Sequence, residues 1–148
     1  MKNKASKTGN EGKSALAAKK IFISKDSDLI AIRKYGREMA AAIGHSKTGQ
    51  TLIVTALSEI CRNILEYAGN GEVILEYKNK NQKKCLYITA IDSGPGIDDI
   101  NSALKDGFTT GKGMGMGLSG TKRIMDEFDI ESDPGTGTTI KMCKYLNN

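Results

Sequence analysis

The chain has no tryptophan and a single histidine, His45, which leaves His-based zinc or triad chemistry short of parts. Its three cysteines, Cys61, Cys85 and Cys143, lie far apart and form no C-x-x-C pair. That spacing indicates neither a zinc site nor a disulfide framework, and the thiols read as small core residues. No stretch approaches the roughly 20 apolar residues that a membrane crossing needs, and no apolar signal-type run follows the lysine-rich start. The expectation is a soluble, cytoplasmic protein with no membrane partner.

What is present fits one domain. At 148 residues the chain is long enough to bury a core that can hold a ligand. The net charge of +5 is not spread over it: residues 1–20 hold six lysines and one acid, leaving 16 basic and 16 acidic residues from Ile21 onward. The positive charge therefore belongs to an N-terminal stretch, and no nucleic-acid partner is expected of the rest. Residues 1–20 are low in apolar side chains and read as a disordered basic leader or tag, or as an arm for an acidic partner; residues 21–148 form the domain.

The periodicity predicts a strand over 20–24 and then a helix through Leu29, Ile32 and Ile43, with Asp26 or Ser27 at its start and Gly44 at its end. A second helix over 49–68 carries the apolar stripe Leu52, Ile53, Ala56, Leu57, Ile60, Ile64 and Leu65. Two alternating strands, 72–79 and 84–91, follow around a polar six-residue turn. A helix over 118–127 and strands over 128–132 and 138–146 complete the order β-α-α-β-β-α-β-β. This predicts an α+β two-layer sandwich, a mixed and mostly antiparallel sheet with helices on one face.

Four clusters carry candidate chemistry. On the second helix Glu59, Arg62 and Asn63 project from one side, since they stand three and four residues apart. A carboxylate and a carboxamide so placed suit a general base and a magnesium ligand; alone, they also suit a solvated helix edge. Asp92 ends a strand and opens the turn Asp92-Ser-Gly-Pro-Gly96. Its carboxylate can accept from an exocyclic amine such as adenine N6, with Gly94 and Gly96 clearing space for a flat ring, although these residue types also make an ordinary turn. Ten of the seventeen glycines fall between Gly94 and Gly137, a density that reads as loops shaped around a ligand. Among them Gly113, Gly115 and Gly117 lead into the helix at Leu118, where N–H groups and the positive helix end suit phosphate, and Lys112 adds a point charge. Thr109, Thr110 and Gly111 read as a lid. Gly135-Thr-Gly-Thr138 supplies a closing hydroxyl.

Two familiar patterns fail on context. Gly115 to Gly120 satisfies G-x-G-x-x-G without a strand immediately before it. Gly44 to Thr51 nearly spells a P-loop, but Gln50 stands where the phosphate lysine belongs and a helix precedes it.

Taken together, Ser58 to Ile64 with Tyr67 to Gly69, Asp92 to Ile97, Asp106 to Thr110, Gly117 to Gly120 and Met125 to Phe128 resemble the Bergerat-fold (GHKL) ATP-binding proteins, over about residues 21–146. That family includes gyrase-type ATPases, Hsp90, histidine kinases and bacterial anti-sigma serine kinases, and the strings are most similar to the last group. The resemblance implies ATP and Mg2+ as cofactors, Asn63 as the metal ligand, Asp92 as the adenine reader with Gly94 and Gly96 lining the base, and Gly111 to Gly117 around the phosphates with Leu118 behind them. It implies Thr138 at the adenine end and Glu59 as the catalytic base that accepts a serine or threonine proton. Implied partners are STAS-domain substrates of the stressosome-scaffold type, a PP2C-type phosphatase or a sigma-pathway regulator. Two activities remain open: a serine/threonine protein kinase, and a nucleotide-dependent anti-sigma-type module that binds without phosphotransfer.

Overall fold

A computed structural model of the chain describes residues 16–96, 104 and 117–147. Strand β1, Lys19–Ile23, is followed by helices α1, Asp28–Ile43, and α2, Lys47–Asn63, and by a π-helical turn, Ile64–Ala68. Strands β2, Gly71–Lys80, and β3, Lys83–Asp92, precede helix α3, Gly117–Ile124, and strands β4, Glu127–Asp133, and β5, Gly137–Tyr145. The five strands form one sheet in the order β1-β2-β3-β5-β4. Every pairing is antiparallel, so the mixed component expected from the sequence is absent among the described residues.

Period-two alternation decides which face of the sheet is covered. Ile23, Val73, Leu75, Leu86, Ile88, Ala90, Ile140 and Met142 point to one side and join Ile32, Met39, Ile53, Leu57 and Ile60 of the helices in a single core. Helix α2 lies between its neighbours. Gly36 of α1 lets Leu57 come so close that a Cβ there would collide with the Leu57 side chain. Thr121 and Leu118 bury the inner side of α3. Lys19 and Lys20, assigned to the leader by composition, pair with Leu75 and Ile74 inside the sheet, and Leu16 packs against the core.

Local chemistry explains the element ends. Gly44 ends α1 at φ 120°, with its N–H shared between the Ala40 and Ala41 carbonyls. At the other end Ser27 makes no side-chain cap; instead the Asp28 carboxylate accepts N–H groups from Ser24 at 2.9 Å and Lys25 at 3.1 Å, tying the helix to the end of β1. Those backbone bonds, Ser24's first, hold the Asp28 carboxyl below its usual value. Helix α2 starts two residues earlier than its apolar stripe suggests because the Ser46 hydroxyl accepts the Gly49 N–H. The helix expected to run unbroken to residue 68 widens after Asn63, and the Gly69 N–H reaches back to the Ile64 carbonyl. The six-residue turn expected between β2 and β3 is a two-residue one, in which Asn81 and Gln82 take φ of 53° and 66° while Lys80 still pairs with Lys83.

Candidate functional site

Register brings the dispersed clusters to one end of the sheet. Gly71, Asp92 and Thr138 are partners across β2, β3 and β5, and Ser132 of β4 pairs with Thr138, so one row of the sheet collects residues that are up to 67 positions apart. Asp92 is half-buried, and its Oδ1 accepts the Gly94 N–H at 3.0 Å, which shapes the turn that follows the strand. The Thr138 hydroxyl is buried and already shares a 2.8 Å hydrogen bond with Ser132.

The π-helical turn that follows α2 meets this row, with Ile64 against Gly71 and Ala68 against Gly94. Glu59 is only 7% exposed. Its Oε1 accepts from Arg62 Nη1 at 2.5 Å, and its Oε2 accepts the Gly117 N–H, the first residue of α3, at 3.3 Å. Gly117 needs no side chain at φ 67°, a left-handed value that glycine adopts without steric penalty. One turn along α2, the Asn63 carboxamide nitrogen is buried without a hydrogen-bond partner among the described residues. Such an orphan donor costs on the order of 1–3 kcal/mol if no acceptor reaches it.

Two of the site glycines also have a packing role that the sequence did not show. Gly94 is not at positive φ; a Cβ there would lie 2.6 Å from the Ala68 Cβ, so its bareness admits the π-helical turn. Gly96, at φ 81°, faces the Asp133 carbonyl, and the adjoining Pro95 carbonyl accepts the Gly135 N–H at 2.6 Å. Leu118, expected at the phosphates, buries its side chain in the core and offers a ligand its backbone alone. Lys112, Gly113 and Gly115 lie outside the described residues, as do Thr109, Thr110 and Gly111.

Sequence reasoning gave no role to two features of this end. The π-helical turn sets Tyr67, 42% exposed, beside Gly94, with the Tyr67 carbonyl 3.2 Å from where a Gly94 Cβ would stand. Gly71 brings Ile64 close to the sheet: a Cβ on Gly71 would be 2.6 Å from the Ile91 carbonyl and 2.9 Å from the Ile64 methyl. The usable signals were the glycine directly after the helix stop and the departure from 3.6-residue periodicity at Leu65. No thiol joins the site. Burial pushes Cys61 up to about 12, so it remains a neutral packing group, and Cys85 and Cys143 are also buried and unbridged. No helix among the described residues is long and apolar enough to cross a membrane.

An α+β sandwich with Glu59 against the glycine that opens α3 is consistent in fold with an ATPase domain. The chain belongs to the family of histidine kinase-, DNA gyrase B- and HSP90-like ATPases, whose model matches residues 48–147. It is 45% identical over 126 residues to the serine/threonine-protein kinase RsbT of Bacillus subtilis (strain 168), covering 85% of this chain and 95% of that one. It is 31% identical over 131 residues to the anti-sigma F factor of Thermoanaerobacter sp. (strain X514), covering 86% and 92% respectively. In fold it resembles the RsbU and RsbW domains of a Mycobacterium tuberculosis protein, with a TM-score of 0.62 at 19% identity over 89% of this chain and 33% of that chain. An ATP-dependent protein kinase is the enzyme class these likenesses support.

Proposed function

We propose that the protein transfers the γ-phosphate of ATP to a serine or threonine of a STAS-domain partner in a partner-switching pathway of the stressosome type, in the cytoplasm. The observation that carries this reading is the Glu59 carboxylate, buried and 3.3 Å from the N–H that opens α3. A base and a helix start suited to phosphate meet at one point, which is what phosphotransfer needs and simple nucleotide retention does not.

In this reading Asn63 holds the magnesium through its carboxamide oxygen, and its buried amide nitrogen, without an acceptor among the described residues, can donate to a phosphate oxygen or a metal-bound water. The ion, when bound, offsets charge on the phosphates. Asp92 has one oxygen committed to Gly94 and the other for the adenine amine. Thr138 and Ser132 brace that end, while Lys112, Gly113, Gly115 and Gly117 surround the phosphates. Glu59 takes the proton from the substrate hydroxyl as its oxygen bonds to the γ-phosphorus and the bond to the β-phosphate oxygen breaks, releasing ADP. A PP2C-type phosphatase or a sigma-pathway regulator is the further partner.

A second reading, sequestration of a partner in a nucleotide-dependent way without transfer, is supported by the anti-sigma F factor relatives. One assay separates the two. Labelled ATP, magnesium and candidate STAS proteins are incubated with the parent protein and with Glu59→Ala. The kinase reading expects the variant to bind Mg-ATP by calorimetry and to transfer no label. Unchanged labelling by the variant removes Glu59 as the base, and tight partner binding with no labelling by the parent favours sequestration.

A further inference from the structure

We infer that Arg62 is the positioning residue of the site, holding Glu59 so that a single defined oxygen faces the reacting groups. The inference rests on the phosphotransfer reading for its kinetic consequence but not for its geometry. Glu59 and Arg62 stand three apart on α2, on the same side of the helix. Their exposures differ: the Glu59 side chain is 9% accessible and that of Arg62 is 44%, so the acid lies inside and the cation closes over it from the surface.

The two carboxylate oxygens are thereby distinguished. Oε1 is committed to the guanidinium at 2.5 Å. Oε2 is directed at the Gly117 N–H, where the longer 3.3 Å contact is the one a phosphate oxygen can replace. A glutamate has three rotatable bonds, and without a fixed oxygen the carboxylate would sample several orientations around the helix entry. Arg62 removes that freedom, the same service that a third group performs for the base of a nucleophile–base pair. A phosphate clamp would draw on the Arg62 N–H donors other than the Nη1 held by Glu59, and it would show as lost Mg-ATP affinity rather than as a rate effect alone.

Arginine suits this task better than lysine because its planar fork sets direction as well as charge. Arg62→Ala is therefore expected to slow transfer at saturating Mg-ATP and substrate by roughly 10- to 100-fold, the cost of a misaligned reacting group, while the Mg-ATP Kd stays within about 2-fold. Arg62→Lys should recover part of the rate.

The geometric half is read without any substrate. In the nucleotide-free protein, the Gly117 amide resonance should shift and its hydrogen exchange should quicken in Arg62→Ala and stay near the parent values in Arg62→Lys. An unmoved Gly117 amide in Arg62→Ala overturns the inference, as does a parent that transfers phosphate beside an Arg62→Ala variant that transfers it equally fast. A loss of Mg-ATP affinity as large as the loss in rate also overturns it, by making Arg62 a phosphate ligand. If the parent transfers nothing, the proposed function fails, and the Gly117 amide still decides the role of Arg62.

Discussion

Gly94 shows how one missing side chain fixes two elements at once. Its backbone lies against Ala68, and a methyl group there would stand 2.6 Å from the Ala68 Cβ and 2.8 Å from its Cα. Neither neighbour is the flexible end of a long side chain, so the turn after β3 or the π-helical turn must retreat. Gly94→Ala should therefore lower the unfolding free energy by roughly 1–3 kcal/mol, the usual cost of overpacking. Urea titration with an unchanged slope is the check, and a midpoint equal to the parent's would show that this contact is slack. Asp28 offers a second view at this scale. Its carboxyl is held low, chiefly by the Ser24 backbone bond, so its contribution is present above the usual 3.8 and is lost as the pH falls through the lowered value. The residue types of the site were legible because acid, amide and glycine each have few uses at such spacing. Their partners were not. Nothing near Glu59 in the chain announces Gly117, 58 positions on, and nothing near Leu118 announces that it faces the core rather than a ligand.

Among the described residues, the hairpin between β2 and β3 holds the two non-glycine residues at positive φ. Asn81 and Gln82 both occupy left-handed backbone, which asparagine tolerates and glutamine does not favour. Gln82→Gly should raise stability by about 1 kcal/mol, more than Asn81→Gly, as read by thermal or urea unfolding. A destabilised Gln82→Gly would mean that the side chain makes a contact worth more than the strain. Apolar periodicity revealed α1 and α2 nearly to their ends, and alternation revealed β2 and β3, because burial on one face imprints a repeat on the chain. The π-helical turn left a weaker trace. It shifts the repeat by one residue over a single turn, and Gly71 and Gly94, which make room for it, read in the sequence as ordinary punctuation.

For the molecule as a whole, ligand binding and folding are linked. In the proposed function Mg-ATP is held by residues from α2, β3, α3 and β5, and it would bind only when those elements are assembled. At 100 times its Kd it should stabilise the fold by about 2.7 kcal/mol. Every residue of the proposed site lies from Glu59 onward in the chain, so a chain lacking residues 1–15 should show the same Mg-ATP-induced rise in Tm by scanning calorimetry. A smaller rise would bring that stretch into the nucleotide site. Composition set the boundary of the basic stretch a few residues too late: Lys19 and Lys20 belong to β1.

The row that joins Gly71, Asp92 and Thr138 has a temporal side. Its first link closes within one hairpin, but its second waits for β5 to return from 46 positions away, across the whole stretch that contains α3. Loop closure of that length is slow compared with helix or hairpin formation, so nucleotide competence should arrive at the end of folding rather than along the way. A newly made chain would thus be unable to engage ATP before its last strand had docked, which makes nucleotide capture a reporter of completed assembly.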